Sequence, residues 1–200
     1  MRLLWTGFLL AVSPLLAQSE LGLTFGSISG PFRITPTGTR LTLSTGTAFQ
    51  ANYARHMRTY RFGHLYGEMH VLASPRQSVT STVVNATHRF ASFYATPGVR
   101  VKFYPKNRLS PWVVGGGGYA LYMQSPKTIS GAVNAAPRTR SSGAIEIGGG
   151  LDWVWNRKMS LRMEARDFYT GSPKYNVALD GPGQFNFIFG VGVVFNLGVK

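Results

Sequence analysis

The chain has 200 residues, 44% of them hydrophobic and only 14% charged, with a formal net charge of +14. It contains no cysteine, which excludes a disulfide scaffold, a thiol nucleophile and a thiolate metal centre. Its length fits one domain, and 24 glycines with 13% aromatics suit a strand-built protein better than a helical one.

Arg2 precedes an apolar run from Leu3 to Leu16, followed by Ala17-Gln18-Ser19-Glu20. A positive start, a hydrophobic stretch and a small residue at the cut form the layout of a secretory signal peptide. Residues 1–17 are therefore expected to be a leader cleaved after Ala17, with residues 18–200 forming the mature domain. The apolar run is shorter than the roughly 20 residues of a spanning helix. Polar residues or glycines interrupt every later apolar stretch, so no other segment reads as a transmembrane helix.

From Glu20 onward, alternation with period two returns eight times. The first run, Glu20 to Gly26, sets Leu21, Leu23 and Phe25 on one face and Gly22 and Thr24 on the other. The second, about Thr45 to Arg55, has Thr47, Phe49, Ala51 and Tyr53 outward and Gln50 and Asn52 inward. The third, about Phe62 to Leu72, opposes Leu65, Gly67, Met69 and Val71 to His64, Tyr66, Glu68 and His70. In the fourth, about Ala91 to Tyr104, Phe93, Val99, Val101 and Phe103 oppose Ser92, Tyr94, Thr96, Arg100 and Lys102. The fifth, about Trp112 to Tyr122, includes Gly115 to Gly118 and has no clear facing. The sixth, about Gly143 to Trp155, sets Ile145, Ile147, Leu151, Trp153 and Trp155 against Glu146 and Asp152. The seventh sets Leu161, Met163 and Ala165 against Arg162, Glu164 and Arg166.

The eighth run is the most informative. Phe185, Phe187, Phe189, Val191, Val193 and Phe195 occupy alternate positions and form one continuous apolar face. Its length matches the 9–11 residues of a tilted strand crossing a bilayer. A soluble protein would have to bury such a strip, whereas a membrane barrel shows it to lipid.

Connections between runs 2 and 3, 4 and 5, and 6 and 7 are short, while the other four are longer and rich in Gly, Pro, Ser and Thr. Such alternation predicts an all-β, eight-stranded antiparallel up-and-down transmembrane barrel with short turns and both chain ends on the periplasmic side. Closure leaves no strand edge unpaired. The expected location is the outer membrane.

The segments Pro111-Trp112-Val113-Val114-Gly115-Gly116-Gly117-Gly118-Tyr119, Gly148-Gly149-Gly150-Leu151-Asp152-Trp153, Leu161-Arg162-Met163-Glu164-Ala165-Arg166 and the closing strand resemble the OmpA/OmpX-type small outer-membrane β-barrel family. The resemblance covers essentially the whole mature chain. It implies the barrel fold, a structural or surface-interacting role, and insertion by the outer-membrane assembly machinery. Members of that family usually finish on an aromatic residue read by that machinery, whereas here Asn196 to Lys200 follow Phe195.

The polar faces carry Glu68, Arg100, Lys102, Glu146, Asp152, Arg162, Glu164 and Arg166. Side chains fill the interior of an eight-stranded barrel, so these charges are expected to pair with one another and plug the lumen. A narrow polar conduit is the competing reading. Removing Arg2 with the leader takes the net charge from +14 to +13. The excess falls at the rims: Arg55, Arg58, Arg61, Lys106, Arg108, Arg157, Lys158 and Lys200 at the periplasmic end; Arg33, Arg40, Arg76, Arg89, Lys127, Arg138, Arg140 and Lys174 in the outer loops. Rim cations suit anionic lipid and lipopolysaccharide headgroups, or an external ligand. A pI near 10.7 ordinarily raises nucleic acid as a partner, but export argues against it. Tyr53, Tyr104, Trp112, Trp153, Trp155 and Phe195 are expected in a periplasmic aromatic band, and Phe25, Phe93, Tyr122 and Phe185 in an outer one.

Catalytic and cofactor motifs are sparse. Gly115 to Gly118 lies inside a strand and precedes no Gly-Lys-Ser or Gly-Lys-Thr, so it is not a phosphate loop. His64 and His70 are six positions apart on one face, roughly 20 Å, too far to share a metal. No His-x-Ser pair exists, and the clear lipid-facing positions carry no histidine. His70 with Glu68 is the nearest acid–base pair, and it reads as part of the plug. The sequence thus predicts a monomeric, non-enzymatic barrel without cofactor or metal; a conducting pore or a lipid A-modifying enzyme are the alternatives.

Overall fold

The computed structural model describes residues 18–171, 173, 175–181 and 183–197, so the expected leader, Lys174 and Lys200 lie outside the described residues. Ten strands occur among them: β1 (Ser19–Ser29), β2 (Arg33–Ile34), β3 (Arg40–Leu43), β4 (Gly46–Tyr60), β5 (Gly63–Ser81), β6 (Arg89–Phe103), β7 (Leu109–Gln124), β8 (Thr139–Asn156), β9 (Met159–Gly171) and β10 (Gly183–Leu197). Eight of them close a ring in which every neighbour is antiparallel: β1 pairs β4 on one side and β10 on the other, and β4 through β10 pair in sequence. The eight-stranded up-and-down barrel is therefore the fold.

Facing follows residue chemistry. Phe25, Phe49, Val99, Ile145, Ile147 and Met163 stand outward, Ile147 with 68% of its surface exposed. Phe185, Phe187, Phe189 and Val191 are each about half exposed, while Val193 and Phe195 in the same row are partly covered. Bare apolar side chains on this scale are stable where lipid covers them.

Three expectations change. First, β5 continues to Ser81, well past Leu72, through an irregularity between Ser74 and Gln77. Alternation ends at Ser74-Pro75-Arg76 because lipid no longer demands it, yet the backbone goes on pairing, with Leu41 opposite Ser81 and Leu43 opposite Val79. The first long loop accordingly contains the β2–β3 hairpin, which extends the wall above the membrane. Second, Trp112 belongs to the interior and not to an aromatic band, and so does Tyr122. In β7 both faces carry apolar residues or glycine, so only the register with its neighbours reveals which is inward. Third, Glu20 also points inward, which enlarges the internal charge set.

The interior has two layers. Towards the short turns it is ionic, around Glu20, Arg100, Lys102, Asp152 and Arg162. Towards the long loops it becomes aromatic and aliphatic: Tyr94, Tyr122, Phe168, Ile28, Leu72 and Ile188, continued upward by Phe90, Leu41, Val79 and the loop residue Tyr175.

Candidate functional site: a filled lumen and a cationic outer rim

Strand β9 supplies the centre of the ionic layer, because Arg162, Glu164 and Arg166 alternate on its inner face. Arg166 contacts three acids from three strands. Its Nη2 donates to Glu68 Oε1 at 2.9 Å and to Glu164 Oε2 at 3.0 Å, and its Nη1 donates to Glu146. Arg162 grips Asp152 with two parallel bonds, Nε to Oδ1 at 2.7 Å and Nη2 to Oδ2 at 2.9 Å, and donates to Asn52 Oδ1 at 2.9 Å. Two-point pairing of this kind fixes geometry as well as charge. Lys102 Nζ bridges Glu20 at 3.0 Å and Asp152 at 2.8 Å, while Arg100 lies 2.5 Å from Glu20 and 3.1 Å from Glu68.

All eight sequence-predicted lumen residues thus meet in one buried cluster. Glu20 joins them as a fifth acid, so acids outnumber the four arginine and lysine cations by one. Glu20 could have been found from its position two residues before Gly22 on the polar face of β1. Trp112 fills the middle: the Arg162, Arg166 and Arg100 guanidinium carbons lie 4.7, 5.1 and 5.6 Å from its ring centre. Its indole nitrogen donates to Asp152 Oδ1 at 3.2 Å. An indole face attracts desolvated cations, so it stabilises their crowding.

His70 does not pair with Glu68. Its Nδ1 lies 3.4 Å from Glu146 and its Nε2 3.2 Å from Gln50 Oε1, while Glu68 faces Arg100 and Arg166. Thr24 donates to Glu164, and Thr96 to Glu146. Above them the hydroxyls of Tyr94 and Tyr122 lie 3.2 Å apart, and Tyr122 meets Thr170 at 2.6 Å.

The long-loop mouth is capped. Tyr175 is fully buried, packs 5.3 Å from Phe90 and donates to Gln184 Oε1 at 2.8 Å; burial pushes its phenol well above the usual value. Arg33 is a strap rather than a free rim charge, donating to the carbonyls of Asp180 and Gly183. Arg40 lies over the Phe32 ring at 3.8 Å. Arg76, Lys127 and Arg138 are solvent-exposed, and among the described loop residues at this end Asp180 is the one acid. At the opposite mouth His56 and His64 pack edge to face at 4.9 Å beside Thr59. No group of three or more His, Asp or Glu with metal-binding geometry occurs among the described residues.

These features define a closed barrel with an apolar girdle, the architecture of the small outer-membrane proteins, and the outer membrane is its location. Solved structures agree on the fold. Neisserial surface protein A is similar with a TM-score of 0.59 at 8% identity, over 90% of this chain and 98% of that one. The outer membrane protein AlkL gives 0.53 at 13% identity, over 92% and 93% of the two chains. OprG from Pseudomonas aeruginosa gives 0.52 at 11% identity, over 90% and 95%. No protein-family model matches the sequence, and no curated protein matches it.

Proposed function

We propose that the protein is a non-conducting, non-enzymatic surface barrel of the outer membrane, acting as a monomer through its long loops. The observation that carries this reading is the filled interior: paired charges below, aromatic packing above, and a loop cap over both. With the lumen occupied, the chemistry left to the aqueous face is that of the outer strand ends and loops bearing Arg40, Arg76, Lys127 and Arg138. Cations near an anionic surface contribute about 1 kcal/mol each. Phosphate-bearing lipopolysaccharide is the fitting partner, and the resemblance to the OmpA/OmpX type points the same way. Insertion by the outer-membrane assembly machinery belongs to the same reading.

The test has two parts. In planar bilayers the purified protein is expected to show no steady ion conductance; a steady unitary current would establish a conduit and overturn the plugged lumen. Binding of lipopolysaccharide micelles should weaken when Arg40 and Arg138 are together changed to Glu, and unchanged binding would remove the loops from the interaction. Mass spectra of lipid A from cells with and without the protein are expected to coincide, and a new lipid A species would make it an enzyme.

A further inference from the structure

The loop joining β7 to β8 and the loop joining β9 to β10 do not close against each other. A cleft of about 630 Å³ separates them, walled by Ala136 and Pro137 on one side and Val177, Ala178 and Leu179 on the other, with Arg140 also lining it. That volume is within the range of small-ligand pockets. Val177 and Leu179 are braced from beneath by the buried cluster around Phe90 and Tyr175, so the apolar wall has a packed support.

Arg140 is the unusual member. It lies opposite Tyr122 in the β7–β8 register and shares the inward parity of Ala144 and Glu146. It is half-buried, yet among the described residues it has no hydrogen-bond or ion-pair partner. Asp180, the acid in the facing loop, forms no ion pair with it. Its guanidinium is therefore free to take an anion, and apolar walls beside it strengthen such a charge-assisted contact. Arg33, by contrast, is engaged with loop carbonyls, and Arg100, Arg162 and Arg166 with carboxylates.

We infer that this cleft binds a small amphipathic anion, its carboxylate on Arg140 and its hydrocarbon or aromatic body between Pro137 and Leu179. The inference deepens the surface-interaction reading in one respect only, since it needs these loops to face outward. Neither Arg40 nor Arg138, the cations proposed to meet lipopolysaccharide, lines the cleft.

The experiment uses the full mature chain in zwitterionic nanodiscs, with 4-phenylbutyrate as the charged probe and 4-phenylbutanol as its neutral counterpart. Calorimetric titration, referenced to empty discs, should show saturable one-to-one binding of the carboxylate and at least about tenfold weaker binding of the alcohol, the effect of losing one charge-assisted contact. Arg140→Gln should bring the carboxylate down to the level of the alcohol. Ala178→Trp, which fills the cleft, should abolish both, and heat-shifted gel migration would show that each variant remains a folded barrel. Carboxylate uptake no greater than by empty discs, or equal affinity in Arg140→Gln, would overturn the proposal. Lipopolysaccharide binding by Ala178→Trp should be unchanged, so failure of the cleft is separable from failure of the loop reading.

Discussion

At the residue scale, the decisive positions are those where charge and environment are hardest to reconcile. Arg166 is the shared counterion of Glu68, Glu146 and Glu164. Arg166→Leu would leave these carboxylates crowded without it, and breaking such a buried set is destabilising by about 3–5 kcal/mol. Urea unfolding in lipid vesicles should record a loss of that size, whereas Arg157→Ala on the exposed turn should change stability by less than about 0.5 kcal/mol. Asp167 presents the reverse case. It stands on the lipid-facing side of β9, opposite Ile147 and Phe187, with its Oδ1 unpartnered among the described residues. Asp167→Leu should stabilise the barrel in the same unfolding assay by up to about 1 kcal/mol, since an acid on that face gains little from lipid. The eight lumen charges were legible in the sequence because strict alternation assigns a side to each. Trp112 was not, because its flanking residues are apolar on both faces, and an indole so placed is indistinguishable in sequence from a band aromatic.

At the scale of elements, the seam between the first and last strands is the tightest join. A Cβ on Gly26 would lie 1.9 Å from the Phe189 carbonyl oxygen, and one on Gly192 would lie 2.0 Å from the Leu23 carbonyl oxygen. Both are collisions with backbone, which cannot be relieved by rotating a side chain. Gly26→Ala should therefore force β1 and β10 apart and cost at least about 1–3 kcal/mol. The measurement is the fraction of refolded protein showing the compact, heat-shifted band. The eight wall strands were readable because lipid on one side and a polar lumen on the other impose period two. The β2–β3 hairpin was not readable: above the bilayer the pattern loses that two-sided demand, and only the pairing of Leu41 and Leu43 with β5 reveals it.

For the whole molecule, charge is sorted by compartment. Of the seven acids in the chain, Glu20, Glu68, Glu146, Asp152 and Glu164 are inside the barrel, leaving Asp167 and Asp180 outside it. The outward surface is thus almost purely cationic, and high net charge serves partner choice and solubility rather than fold. The fold class followed from the chain as a whole, through the alternation of short and long connections. The cap did not, because Tyr175 sits in a loop with no periodicity to mark it as a core residue. One consequence concerns time. Trp153 and Trp155 stand on the outer wall, whereas Trp112 touches side chains from β6, β8 and β9 inside it. Single-tryptophan variants would therefore act as two independent clocks during insertion. Brominated lipid should quench the outer pair as soon as the wall meets the bilayer, while Trp112 should change its emission only when β9 has arrived and the ring has shut. A delay between the two signals would time the interval between landing in the membrane and closing.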